Sequence, residues 1–169
     1  MIELELTDPH HLTVDYLGEP GNRTFYVQAE DTDQRASFLI EKEQVAALAQ
    51  ALEQLLHQLE DTPATDWDRT AMKLRRPLEE RWRVGDIAVG ADPESGRFFL
   101  ELTEFVPDEG RDPWEARLWA LSDQVRRLAA HAAEVLTQGR PRCRLCGRPM
   151  EADGAHVCPA ENGHGDLAR

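Results

Sequence analysis

Two apolar stripes, eighty residues apart, constrain this chain more than any other feature. Val45, Leu48, Ala49, Leu52, Leu55, Leu56 and Leu59 fall at steps of three and four, so an α-helix gathers them on one side. Val125, Leu128, Ala129, Ala132, Val135 and Leu136 repeat the pattern. The spacing predicts one helix from about Glu41 to Glu60 and a second from Ser122. In the second, Ser122 is the expected N-cap, Asp123 lies in the electropositive first turn, and Gly139 sits at the C-terminal cap. An amphipathic helix hides its stripe only against another element, so facing strands must be found elsewhere in the chain.

The strands are legible as segments of period two. Ile2–Leu6, Leu12–Leu17, Arg23–Ala29 and Ala36–Ile40 precede the first helix, and Arg83–Gly90, Arg97–Val106 and Ala116–Leu121 precede the second. Each is bounded by turn chemistry. Glu19-Pro20-Gly21-Asn22 is one such turn, with Gly21 free to take positive φ, and Asp92-Pro93-Glu94-Ser95-Gly96 is another. Residues 63–80 read as a polar connection with a short helical turn around Thr70–Arg75.

Sliding the chain by eighty residues makes six of the 21 positions from Ala36 to Leu56 identical to Ala116 to Leu136, among them Gln44 and Gln124. The expected fold class is therefore α+β: two halves, each an antiparallel sheet followed by a helix, with a possible internal duplication. The expected divisions are 1–62 and 63–139, packed as one body, and 140–169 as a C-terminal appendage. Gln44 and Gln124 are polar residues in the first turn of their helices, where N-terminal capping explains them.

Charge is uneven. Residues 1–62 carry 13 acids against 3 bases, 63–110 carry 11 against 7, 111–139 carry 4 against 4, and 140–169 carry 4 against 5, which sums to the net −13. Nucleic-acid affinity comes largely from Lys and Arg neutralising phosphates, so generic nucleic-acid binding is not expected. Two basic clusters stand out locally: Arg69, Lys73, Arg75, Arg76, Arg81 and Arg83, and then Arg140, Arg142, Arg144 and Arg148. Both read as solvated faces paired with nearby acids. No stretch approaches the ~20 apolar residues of a membrane span, and Met1-Ile2-Glu3-Leu4-Glu5-Leu6 lacks the basic start of a signal peptide. A soluble, cytoplasmic protein is expected, with no membrane association.

The three cysteines all lie in the last 27 residues. Cys143-Arg144-Leu145-Cys146-Gly147 is a tight C-x-x-C-G turn able to aim two thiolates at one ion, and His156-Val157-Cys158 supplies two more ligands. Cys143, Cys146, His156 and Cys158 thus form a Cys₃His set suited to tetrahedral Zn²⁺. A stretch with so few other apolar residues needs a metal to hold a shape, and the expected cofactor is structural zinc. The alternatives are a redox C-x-x-C pair, unliganded exposed thiols, or a catalytic zinc assisted by Glu161 or His164. His164 is also an alternative fourth ligand to His156.

Gly18-Glu19-Pro20-Gly21-Asn22-Arg23-Thr24-Phe25, Glu41-Lys42-Glu43-Gln44-Val45, Arg83-Val84-Gly85 and the Cys143–Pro159 motif followed by Asn162-Gly163 together resemble the bacterial family called domain of unknown function 3090. The resemblance spans about residues 10–164 and rests on the order and spacing of these motifs. In that family a Pro usually follows the first Cys and an aromatic residue follows Asn-Gly; here Arg144 and His164 stand there, which leaves the ligands intact. The resemblance implies a two-part α+β body with a C-terminal zinc knuckle and no established activity. It also implies genomic neighbours resembling a histidine phosphatase and a lipid kinase.

No nucleophile elbow, phosphate-cradling loop or His-Glu-x-x-His is present. The leading expectation is a zinc-containing, non-catalytic binding or adaptor protein with a protein partner. The alternatives are an enzyme or enzyme subunit acting on a small or phosphorylated substrate in the cleft between the halves, and nucleic-acid contact through the Arg-rich knuckle. Arg23, beside a glycine turn, is the candidate ligand-binding residue: a guanidinium there can grip a carboxylate or phosphate in bidentate fashion. Its plainer role is a surface ion pair with Glu19 or an acid on the neighbouring strand.

Overall fold

Pairing of the period-two segments accounts for the architecture. The computed structural model describes residues 1–108, 110–138, 143–148, 150 and 156–160. Its elements are β1 (Ile2–Leu6), β2 (His11–Glu19), β3 (Asn22–Glu30), β4 (Arg35–Ile40), α1 (Lys42–Gln58), β5 (Glu80–Ala91), β6 (Phe98–Glu104), β7 (Glu115–Ala120) and α2 (Ser122–Val135). The strands form one seven-stranded sheet in the order β1-β7-β6-β5-β4-β3-β2. The protein is thus α+β, with two helices and a mixed sheet.

Each half is an antiparallel meander followed by its helix, as the sequence predicts. The junctions between halves are parallel. β4 pairs with β5 and β1 pairs with β7, both in parallel register. β1 therefore does not join the sheet of its own half, as its position in the chain suggests; it extends the second half. Parallel neighbours need a long crossover connection, which α1 and the segment after it supply between β4 and β5.

The placement of β1 has a geometric consequence. In a flat sheet, six strand spacings would part β1 from β2 by about 29 Å, yet residues 7–10 alone connect them and span at most roughly 17 Å from Leu6 to His11. The sheet must curl until its two edges approach each other. One face then packs on the helical stripes. Val14, Val27, Ala29, Phe38, Ile40, Leu100, Leu102 and Leu118 meet Val45, Leu48, Leu52, Leu56, Val125, Leu128, Ala132 and Val135 in one buried cluster, and α1 packs on α2.

Local chemistry sets the turns. Gly21 takes φ +87°, and Gly18 takes φ +100° with Asn22 O so close that an added Cβ would lie 2.2 Å from it. Only glycine closes that hairpin. At the start of α2 the N-cap is Leu121 rather than Ser122. Ser122 is the first helical residue, and its hydroxyl donates 3.1 Å to Asp61 Oδ2 on the segment leaving α1. The cap bond is instead made by Gln124, whose Oε1 accepts from Leu121 N–H at 2.9 Å.

Residues 61–79 cross the molecule as a strap. Ala64 N–H donates to Arg126 O at 2.9 Å, the Trp67 indole N–H donates to His131 Nδ1 at 3.2 Å, and Arg69 pairs with Glu134 at 2.9 Å. A turn at Arg69–Met72 stands close to the one expected at Thr70–Arg75. Farther on, Arg75 N–H donates to Gln28 Oε1 at 2.7 Å, and Thr13 and Ser37 hydroxyls donate to Met72 O and Leu78 O.

Candidate metal centre

The Cys143–Arg148 turn is built by its own backbone. Gly147 N–H donates to Cys143 O at 2.8 Å and Cys143 N–H donates to Arg148 O at 2.9 Å. Gly147 takes φ +71°, which turns the chain back and leaves amides directed toward sulfur. The N–H groups of Cys146 and then Leu145 hold the Cys143 thiol down at about 7. Hydrogen bonds to a thiolate favour the charged form, which is the form that binds metal.

The second limb brings His156 and Cys158 to the turn. Cys143 Sγ lies 3.6 Å from Cys158 Sγ, and Cys146 Sγ lies 3.1 Å from His156 Nε2. All four ligand atoms fall within 4.8 Å of one another. Ligands about 2.3 Å from a tetrahedral ion sit about 3.8 Å apart, so the donor set fits one metal ion. None of the cysteines forms a disulfide, and the sulfur separation is far beyond the ~2.05 Å of one. Cys158 is buried, and Cys143, Cys146 and His156 are partly buried. The four residues singled out in the sequence are thus brought together as a group that can hold a metal ion. Gly139, Arg140, Arg142, Glu161, Asn162, Gly163 and His164 lie outside the described residues.

Arg23 sits at the C-terminal end of α2. Its guanidinium donates to Val135 O at 3.4 Å and to Gln138 O and stacks 4.4 Å over the Tyr16 ring. Val135 closes α2 and Gln138 lies in the turn that follows; carbonyls at a helix C-terminus lack intrahelical partners and carry the negative end of the helix dipole, so a cation there satisfies both needs. No ion pair joins it to Glu19 among the described residues.

The sequence reading missed a buried polar layer beneath the strap. His11, Thr13, Asp15, Gln28, Ser37 and His131 are all 4% exposed or less. On β2 the first three alternate with Leu12, Val14 and Tyr16, a pattern that reads as an ordinary solvent face. Nothing local announces the strap that covers them. Lys73 Nζ lies 3.5 Å from Asp15 Oδ2. Burial, followed by the Arg75 charge, pushes His11 down to about 4, and burial lowers His131 despite the opposing charges of Asp15 and Glu134. A Trp N–H can only donate, so His131 Nδ1 accepts and the proton of the neutral ring sits on Nε2. That N–H and Asp15 Oδ1 are buried without hydrogen-bond partners among the described residues.

The mid-chain basic cluster is largely committed to acids. Arg75 and Arg35 share Glu30, whose carboxyl Arg35 above all holds down at about 2, and Arg83 pairs with Glu41.

No described helix is long and apolar enough to cross a membrane. No curated protein and no solved structure matches the chain. The model of one protein family does match, over residues 4–158, a span that takes in both halves of the body and all four ligands. The chain therefore belongs to the family described as protein of unknown function (DUF3090).

Proposed function

We propose that this is a zinc-containing binding or adaptor protein without catalytic activity of its own, in which Cys143, Cys146, His156 and Cys158 hold a structural Zn²⁺ and the knuckle contacts a protein partner. The observation that carries this reading is the closed donor set. Four protein ligands within 4.8 Å of one another fill a tetrahedron, leaving no position for the water or substrate a catalytic zinc needs. Three thiolates and an imidazole suit zinc over harder ions, and thiols kept for a metal suit a reducing compartment such as the cytoplasm.

In this reading 1–62 and 63–139 form one body and 140–169 is a module ordered by its metal. The body is read as a duplicated unit, on the strength of its two meander-plus-helix halves and the matching roles of Gln44 and Gln124. The net −10 of residues 1–62 favours a basic contact surface on the partner and disfavours phosphate backbones. Metal analysis of the purified protein beside Cys146→Ser tests the site: one zinc in the first and little in the second is expected, and equal zinc in both sinks the assignment. Capture from native lysate then tests the adaptor role. A stoichiometric partner lost with Cys146→Ser is expected, and a partner held equally by both proteins removes the knuckle from that role.

One observation favours a second reading, an enzyme or enzyme subunit acting on a small or phosphorylated substrate. Asp15 from the first half and His131 from the second are both buried beside the same strap, each with an unpartnered polar atom, and half-exposed Lys73 links Asp15 to solvent. Buried acids and imidazoles of this kind are candidates for proton transfer. Turnover of a panel of phosphate esters that is lost in His131→Gln would support it, and absence of turnover would remove it.

A further inference from the structure

The two helix–strand flanks of the body are counterparts. α2 packs on β2, and α1 packs on β5. Leu39 in β4 and Trp119 in β7 hold the same place eighty residues apart, and pairing across the sheet runs from Leu39 through Tyr26 to Asp15 and from Trp119 through Phe99 to Gly90. β2 and β5 therefore correspond as the helices do.

Among the described residues, one flank is covered and the other is open. The strap that follows α1 lies along α2, where it meets Arg126, His131 and Glu134. At the three corresponding positions α1 carries Ala46, Ala51 and Gln54. Between α1 and β5 runs an open groove, with Ala47, Leu48, Ala51, Ile87 and Val89 as its apolar lining and Asp86 as its charged residue.

The segment that follows α2, in the place the strap holds after α1, is the metal knuckle. It presents Leu145 and Val157, 67% and 83% exposed, beside exposed Arg144 and Arg148. Apolar tips flanked by cations complement an apolar groove bearing Asp86 on an acidic body.

We propose that the α1–β5 groove receives the knuckle of a second copy of this chain, with Leu145 and Val157 seated against Ala51, Ile87 and Val89 and an arginine drawn to Asp86. The result is a two-fold dimer in which each copy gives a knuckle and accepts one. The inference rests on the knuckle being a contact module, as in the proposed function, and names its partner surface.

Sedimentation equilibrium of the zinc-loaded full chain tests it. A monomer–dimer equilibrium is expected. Ala51→Arg in the groove and the pair Leu145→Glu, Val157→Glu on the knuckle should each weaken the dimer at least about tenfold, a change of about 1.4 kcal/mol. Mixing these two variants should restore association above either alone, because one retains an intact knuckle and the other an intact groove. Ala51→Arg lies away from the ligands, so the test stands even where the knuckle variant loses its metal. A chain monomeric at every concentration overturns the inference and leaves the zinc content, on which the proposed function stands, untouched. A dimer indifferent to both variants also overturns it.

Discussion

Gln44 and Gln124, eighty residues apart, do the same two things with one side chain. Each accepts at Oε1 from the backbone N–H three residues earlier, at 2.8 Å from Glu41 and 2.9 Å from Leu121. Each also donates from Nε2 across to the other half: Gln44 to Val84 O at 3.1 Å and Gly85 O at 3.2 Å, and Gln124 to Pro9 O at 2.7 Å. A capping glutamine has become a rivet between its helix and the other half.

This double role separates glutamine from glutamate. A glutamate fulfils the capping half well, but its second oxygen would face carbonyls that need a donor. Gln44→Glu and Gln124→Glu should each cost about 1 kcal/mol or more in urea unfolding, and Gln→Ala about 1–2 kcal/mol. Stability unchanged or raised in the Glu variants would reduce both residues to ordinary caps.

Removal of metal should loosen the knuckle alone. The cluster of buried strands and helical stripes draws on residues 4–135 and contains none of the four ligands, so the body has its own core, whereas in the proposed reading the knuckle depends on its ion. Chelation should therefore leave cooperative thermal unfolding of the body in place while exposing residues near 143–158 to proteolysis. Collapse of all cooperative unfolding on chelation would show that the knuckle holds the body together.

The pair formed by Trp67 and His131 makes stability depend on acid. Both buried histidines are lowered in the folded state, His11 to about 4, so below the ordinary value of about 6.5 the unfolded chain binds more protons than the folded one. Their contribution is present in full above about pH 6.5 and is lost as pH falls below it, for His11 down to about 4. A protonated His131 cannot accept from Trp67. His131→Leu, which leaves that N–H unpaired, should cost about 1–3 kcal/mol and flatten this part of the profile, and chemical denaturation at stepped pH reads both. An unchanged profile in His131→Leu would assign the acid sensitivity elsewhere.

Arg23 should act as a helix clamp. Arg23→Ala strips the last α2 carbonyls of a cationic donor and should cost about 1–2 kcal/mol. Hydrogen exchange at the end of α2 should rise more than in α1, and equal rises would argue against the clamp.

The acidic body should keep nucleic acid away. Binding to generic RNA or DNA no tighter than the ~10⁻⁴ to 10⁻⁶ M of non-specific complexes is expected at physiological salt. Tight, salt-sensitive binding abolished by changing Arg140, Arg142, Arg144 and Arg148 together to Ala would promote the knuckle to a nucleic-acid site.

By itself the sequence determined what depends on near neighbours in the chain: the two helical stripes, the alternating strands, the glycine turns and the Cys₃His set, whose ligands lie within 16 residues. Periodicity and ligand spacing are local properties, and they hold wherever the segment ends up. Tertiary structure decided what depends on distant partners. β1 left its own half to pair in parallel with β7. Arg23 turned to α2, and His11, Thr13, Asp15 and His131 were buried because the strap crossed them. A polar side chain on a strand reads the same whether water or another segment lies over it, and the long-range packing of residues 61–79 chose between the two.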